Sequence, residues 1–531
     1  MVGLVGHFLR ILFKKSSIIE ISVMTMPSVG IRSLAVSFPS TIRTNQYWLD
    51  KFPDLVSPGQ QSTRLPQPLE LSENPSGLEI WLQAIVPYWA DPFRGSVARR
   101  VLSQQETSQA LEAQAAQAAL QAAELQPEQI DLAIVASLFP DEVGPGTAAR
   151  LAQSLGLICP AWNLESTCAS ALVALQTAQS LIQTGIYRNI LIIVSHIGSR
   201  SVNDRDTLAW SMGDGAGAWV VGPVAPSQGI LGTHILSTAT TAGAYVHEWG
   251  MDEQGQPRIQ TRTGNNVSRL AETAAETMQQ CCQAALAAAG VGLEEIQLFA
   301  INTPTAWYAE VFAQALGVEI DRVMNLYPDY GNIGPVFPMA NLDHAAQAGK
   351  IRENDLVLIY ANGAGATAAA TVMRWGAVAL AAESGQEVTR ECPPTPILSA
   401  TSTSTASTST TSTDRSDRVA ILLSLSLADR ASAITIYLIE WLTQARQLSP
   451  DQLNGTILLS TLLDSLMAIV LRSQLETDFQ VRVPMEKFFG EQTIDHLSQY
   501  LMDQLSIVEL IKNPAIQPEL SQADDREVMI L

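Results

Sequence analysis

Residues 166–195 read STCASALVALQTAQSLIQTGIYRNILIIVS. A cysteine, Cys168, stands among small hydroxyl residues and opens an alanine- and leucine-rich stretch of helical character over about 168–184. After Gly185 comes the unbroken apolar run NILIIVS at 189–195, the pattern of a parallel strand covered on both faces. Helix followed by buried strand is the grammar of an α/β enzyme.

The flanking sequence keeps to that grammar. A strand is expected at 29–37, helical material at 107–123, a strand in QIDLAIVASL at 129–138, and a helix at 144–156. The second half repeats the order, with a helix at 266–290, a strand at 298–302, helices at 306–316 and 335–348, and the buried strand DLVLIYANG at 355–363. Cys168 stands 17 residues before Gly185 and Asn332 stands 17 before Gly349, each glycine leading into a buried strand. GAGA occurs at 215–218 and again at 363–366. Two related halves, about 28–225 and 226–382, are the simplest reading.

The chain has 531 residues, enough for a large catalytic domain and a smaller one. Its hydrophobic share of 47% rules out disorder throughout, and a formal charge of -21 excludes a general nucleic-acid binder. The five cysteines and six histidines show neither disulfide nor metal-ligand spacing. A metal-free protein of the reducing cytoplasm is therefore expected, with Cys281 and Cys282 in a helical core and Cys159 structural. Residues 1–27 are apolar but broken by Arg10, Lys14, Lys15 and Glu20, too interrupted for an integral membrane segment. They are read as an uncertain N-terminal extension. The Ser/Thr-rich stretch 383–416 reads as a flexible linker. Residues 417–506 read as a small all-α bundle, and 507–531 as a polar tail.

STCASALVALQTAQSLIQTG around Cys168, MGDGAGA at 212–218, NLYPDYGNIG at 325–334 and YANGAGATAAATVMRW at 360–375 together resemble the ketoacyl-carrier-protein synthase III group of the thiolase fold. The resemblance covers residues 28–382 and implies a duplicated αβαβα catalytic domain, a homodimer, and acyl-coenzyme A or acyl-carrier thioesters as donors. Residues 417–506 resemble a polyketide-type acyl carrier protein through Leu463-Asp464-Ser465-Leu466-Met467. That resemblance implies covalent 4'-phosphopantetheine on Ser465, installed by a phosphopantetheinyl transferase, and a place beside fatty-acid or polyketide synthase components.

Cys168 is the expected nucleophile, because acyl transfer needs a polarizable group that is also a good thioester leaving group. Its place at a helix start is expected to favour the thiolate. By the resemblance, Asn332 faces the bound thioester and the Ala364 backbone N–H joins that of Cys168 in an oxyanion hole. The segment LFAINTPTA departs from the family, with Asn302 where a histidine is usual. Asn302 and Asn332 would then form a two-donor clamp without a proton acceptor. His247, in YVHEWG, is the one histidine expected in a loop where it can act, whereas His196, His234 and His344 read as structural. Three functions stay open: decarboxylative condensation of the Cys168 acyl group with a substrate on the Ser465 arm, non-decarboxylative acyl transfer, and an inactive condensing scaffold bearing a carrier.

Overall fold

A computed structural model describes residues 26–56, 75–89, 91–251, 255, 257–264, 266–382, 389–390, 422, 425–446, 453–463, 465–481, 483–488 and 491–512. Residues 1–25, most of the linker, Asp464 and residues 513–531 lie outside them, and residues 507–512, read from sequence as the start of the polar tail, instead continue the last helix of the carrier.

The strands run β1 (Val29–Ser37), β2 (Thr41–Thr44), β3 (Ala98–Val101), β4 (Leu132–Leu138), β5 (Ala161–Asn163), β6 (Ile190–Ile197), β7 (Asp214–Pro223) and β8 (Gly229–Ser237). They continue with β9 (Tyr245–Met251), β10 (Pro257–Thr263), β11 (Ile296–Ile301), β12 (Leu356–Asn362), β13 (Thr367–Arg374), β14 (Ala379–Leu380) and β15 (Thr389–Arg390). The catalytic-domain helices are α1 (Gln46–Lys51), α2 (Gly77–Ile85), α3 (Ser108–Ala122), α4 (Thr147–Leu155), α5 (Ser170–Gln183), α6 (Val267–Ala289), α7 (Tyr308–Leu316), α8 (Tyr327–Tyr330) and α9 (Phe337–Gln347).

One sheet has the order β14-β1-β7-β6-β4-β5 and the other β11-β12-β13-β8. In the first, β4 and β6 are parallel and the steps to β7 and β1 are antiparallel. In the second, β11 and β12 are parallel and the steps to β13 and β8 are antiparallel. The same sequence of directions in both sheets is the duplication seen in the residue spacing. Helix α3 packs on the first sheet and α6 on the second, while α5 and α9 each touch both. The result is five layers, αβαβα.

Small residues make the middle layer possible. Ala171, Ala174 and Ala178 of α5 are fully buried, and a Cβ on Gly217 would stand 2.5 Å from Met339 Sδ of α9. All eight residues of β6 are buried, as its apolar run predicts. Two expectations need correction. The GAGA runs are not equivalent, since the first lies inside β7 and the second forms the turn before β13. The halves also do not separate cleanly at 225, because β14 returns to pair with β1.

Beneath the carboxyl ends of β4 and β6 lies a buried carboxyl that sequence did not flag. Glu112 of α3 accepts hydrogen bonds from Ser137 and, at 2.5 Å, from Ser195. Burial pushes its carboxyl up to about 7, against the opposing pull of the two hydroxyls. The folded state thus holds this proton more tightly than the unfolded chain does. The contribution is complete below an unfolded value near 4.5 and is lost as pH rises through about 7. The stability difference between wild type and Glu112→Gln should therefore shift against wild type by roughly 3 kcal/mol from pH 5 to pH 8. Urea unfolding of the two proteins at both pH values checks this; an unchanged difference contradicts it.

The carrier portion contains α10 (Leu427–Arg446), α11 (Leu459–Leu462), α12 (Ser465–Phe479) and α13 (Ile494–Lys512). Its core follows helical spacing, with Ile434, Leu438 and Leu442 on α10, Ala468, Leu471, Leu475 and Phe479 on α12, and Leu497, Leu501 and Leu505 on α13, all buried.

Candidate active site

Cys168 sits in a single 3-10 turn, Thr167–Ala169, that runs directly into α5. Thr167 has φ +48°, a left-handed backbone rarely adopted by a β-branched residue, and turns the chain sharply just before the nucleophile. Ser170 braces the turn: its hydroxyl accepts from the Ser166 N–H at 2.8 Å and donates to the Thr167 carbonyl at 2.7 Å. The glycine-rich turn between β12 and β13 closes over it. A Cβ on Gly363 would lie 2.3 Å from Thr167 Oγ1 and 2.7 Å from the Ser166 carbonyl, so only glycine permits this approach.

These elements line a cavity of about 490 Å³. Cys168, Asn332, Ala364 and His247 all lie on its wall, as expected, and Leu55, Trp89, Phe93, Leu208 and Trp307 give it an apolar side. Asn332 is held by backbone bonds to Ser211 (2.6 Å) and Gly213 (3.1 Å), and its Oδ1 accepts from the Gly334 N–H at 2.9 Å. Among the described residues Nδ2 has no partner, so it remains as a donor. The Ala364 N–H is likewise uncommitted among them, while Gly365 N–H donates to Thr241 Oγ1 at 2.8 Å.

Three expectations change. At the Cys168 thiol burial outweighs the helix start: with Glu165 it pushes the group up to about 12 against the opposing pull of a backbone hydrogen bond. Asn302 is not on the cavity wall. It is 1% exposed, its Oδ1 accepts from the Asn362 N–H at 2.8 Å, and its buried Nδ2 has no partner. His247 lies on strand β9 of a hairpin with β10 rather than in a loop, with Nδ1 2.9 Å from Thr261 Oγ1. Desolvation lowers its pKa below the usual histidine value.

His196, read from sequence as structural, is also on the wall. Its ring is slotted between glycines: a Cβ on Gly198 would lie 2.4 Å from Cε1 and one on Gly334 2.7 Å from Cδ2. Nδ1 lies 2.9 Å from the Gly213 carbonyl. A carbonyl only accepts, so Nδ1 carries the proton and Nε2 keeps a lone pair. Burial lowers this imidazole to about 4, and it is neutral at pH 7. Phe139 stands edge-on to both histidines, with centroids 5.5 Å from His196 and 4.9 Å from His247. The signal for His196 was its position at the carboxyl end of a parallel strand, where α/β sheets place their sites. His344 bridges Tyr330 Oη and the Ala340 carbonyl, and His234, on β8, is not on the cavity wall.

The carrier reaches the same cavity. Met467, two residues after Ser465 opens α12, is part of the wall shared with Cys168. Ser465 thus opens the helix that carries Met467 to that wall. Among the described residues no cluster of side chains suits a metal ion, and no helix is long and apolar enough to cross a membrane.

Comparison with known proteins agrees with this geometry. Residues 162–239 match the family described as 3-oxoacyl-[acyl-carrier-protein] synthase III, 286–375 match its C-terminal part, and 450–501 match the phosphopantetheine attachment site. The beta-ketoacyl-[acyl-carrier-protein] synthase III of Caldanaerobacter subterraneus is 30% identical over 299 residues, covering 54% of this chain and 89% of the relative. The crystal structure of the Aquifex aeolicus 3-oxoacyl-[acyl-carrier-protein] synthase III superposes with a TM-score of 0.51 at 26% identity, over 65% of this chain and 100% of that one. The Thermus thermophilus synthase III gives 0.54 at 26% identity, over 66% and 99%. A relative matched over nearly its whole length, on a fold with the cysteine at the start of a middle-layer helix, shows that this chain belongs to the 3-oxoacyl-[acyl-carrier-protein] synthase III family of thiolase-fold acyltransferases, which work through an acyl-cysteine, and that it bears a phosphopantetheine-attachment domain on the C-terminal side.

Proposed function

We propose that this enzyme loads an acyl group onto Cys168 and condenses it, with loss of carbon dioxide, with a malonyl-type substrate carried on its own Ser465. The observation that carries this reading is the cavity wall itself, where Cys168, Asn332 and Ala364 stand together with Met467 of the carrier. A 4'-phosphopantetheine group on Ser465 supplies a terminal thiol on which acyl substrates ride as thioesters.

Acylation forms the Cys168 S–C bond and breaks the donor thioester's C–S bond. The Cys168 proton leaves with the departing thiol. The backbone N–H groups of Cys168 and Ala364 donate to the carbonyl oxygen as it becomes an oxyanion. In the second step Asn332 Nδ2 donates to the substrate carbonyl on which charge develops as carbon dioxide departs. The enolate carbon then attacks the acyl carbon, the new carbon–carbon bond displaces Cys168 sulfur as a thiolate, and that thiolate takes a proton from water to restore the resting thiol. This step needs donors but no proton acceptor, so it tolerates Asn302 in place of histidine.

Non-decarboxylative transfer is the second reading, and the neutral His196 with its Nε2 lone pair on the cavity wall favours it. The two differ in mass balance. Phosphopantetheinylated protein given an acyl-coenzyme A and a malonyl-loaded carrier should release carbon dioxide and gain a ketoacyl mass on Ser465. An unchanged acyl mass on Ser465 without carbon dioxide supports simple transfer, and neither product across chain lengths sinks both.

A homodimer is part of the same proposal. Strand β5 is an unpaired sheet edge bearing Trp162 (38% exposed), with Ile158 (79%) and Val143 (68%) nearby, an arrangement suited to pairing with a second copy. Sedimentation should give a dimer that Trp162→Glu weakens; a monomeric wild type would refute it.

A further inference from the structure

The carrier makes a buried ionic contact that delivery alone does not explain. Arg472 of α12 is 6% exposed and pairs through Nη1 with Glu272 of α6, in the catalytic domain. Its Nε lies 3.3 Å from Glu476 on its own helix, and Arg269 of α6 lies 3.1 Å from the other oxygen of Glu272. Arg269, Glu272, Arg472 and Glu476 thus form a chain of alternating charge across the junction of two domains. Arg472 stands two helical turns after Ser465, so fixing it fixes where the modified serine meets the cavity. The buried apolar side chains of the bundle and of the catalytic domain also form one contiguous cluster.

The polarity is specific: the catalytic face offers the acid and the carrier helix the base. A carrier with an acidic residue at the place of Arg472 would set two carboxylates against each other where water is largely excluded, which is costly. We propose that the Glu272–Arg472 pair is the recognition element by which this enzyme selects its own type of carrier domain and rejects carriers whose attachment helix is acidic at that turn. This rests on the carrier-delivery reading above, and it names the partner surface that reading requires.

A charge swap tests it in the full chain. In the protein without its arm, hydrogen exchange over residues 267–276 and 465–476 reports docking directly. Arg472→Glu and Glu272→Arg should each raise exchange there by about tenfold, and the double variant should return to within about threefold of wild type. With a pantetheine analogue ending in a thiol-reactive electrophile on Ser465, crosslinking to Cys168 should fall and recover in the same order. Modification of Ser465 by a phosphopantetheinyl transferase confirms that each carrier is folded, and Arg472→Gln gives a milder variant where Arg472→Glu is not. Equal exchange and crosslinking in all four proteins, or a double variant worse than either single one, overturns the proposal. Normal docking with no acyl or ketoacyl product overturns the functional reading instead.

Discussion

Cys168→Ala should abolish acyl loading: intact-mass spectra after exposure to acyl-coenzyme A should show no acyl adduct in the catalytic domain, and turnover should fall at least about 1,000-fold. The reason is chemical rather than structural. The turn that carries Cys168 is held by Ser166, Ser170 and Gly363 through backbone and hydroxyl contacts that do not involve sulfur. Alanine therefore keeps the fold and removes the nucleophile. Cys159, Cys281 and Cys282 cannot substitute, because none of them lies on the cavity wall. Modification of Ser465 should be normal in the variant. An acyl group still reaching the carrier through the catalytic domain at wild-type rate would refute the nucleophile assignment.

Gly213→Ala should be the most damaging single methyl in the site. A Cβ there would stand 1.9 Å from the Tyr330 carbonyl oxygen, a backbone atom with nowhere to go. Gly213 also joins the two halves of the chemistry, since its N–H donates to the Asn332 carbonyl and its carbonyl accepts from His196 Nδ1. Overpacking of this kind costs roughly 2–3 kcal/mol. Displacing Asn332 by a fraction of an ångström should lower the second step about 100-fold. Denaturant unfolding and single-turnover discharge of acyl-Cys168 measure the two effects separately. Wild-type values for both would show that the strand yields where the structure says it cannot.

Much of this was legible in the residues. The apolar run at 189–195 is the fully buried β6, and the equal spacing of Cys168 and Asn332 from their glycines marks the two middle-layer helices of a duplicated fold. What escaped was set by distance in sequence. His196 lies on the same cavity wall as Cys168, but its one signal, a place at the carboxyl end of a parallel strand, was outweighed by the buried apolar run that it closes. The partner of Asn302 was hidden by distance: the Asn362 N–H that holds its Oδ1 comes from 60 residues away. The thiol was misjudged because helix position is visible in sequence and desolvation is not. Glu272 and Arg472, 200 residues apart, carry no motif that links them.

The protonated state of Cys168 has a consequence outside the reaction cycle. Peroxides and electrophilic metabolites attack thiolates, and a sulfur that holds its proton up to about pH 12 offers them almost none at physiological pH. Met467 of the carrier helix stands on the same wall. The same burial that holds the proton on the sulfur between substrates therefore slows its oxidation as well as its acylation.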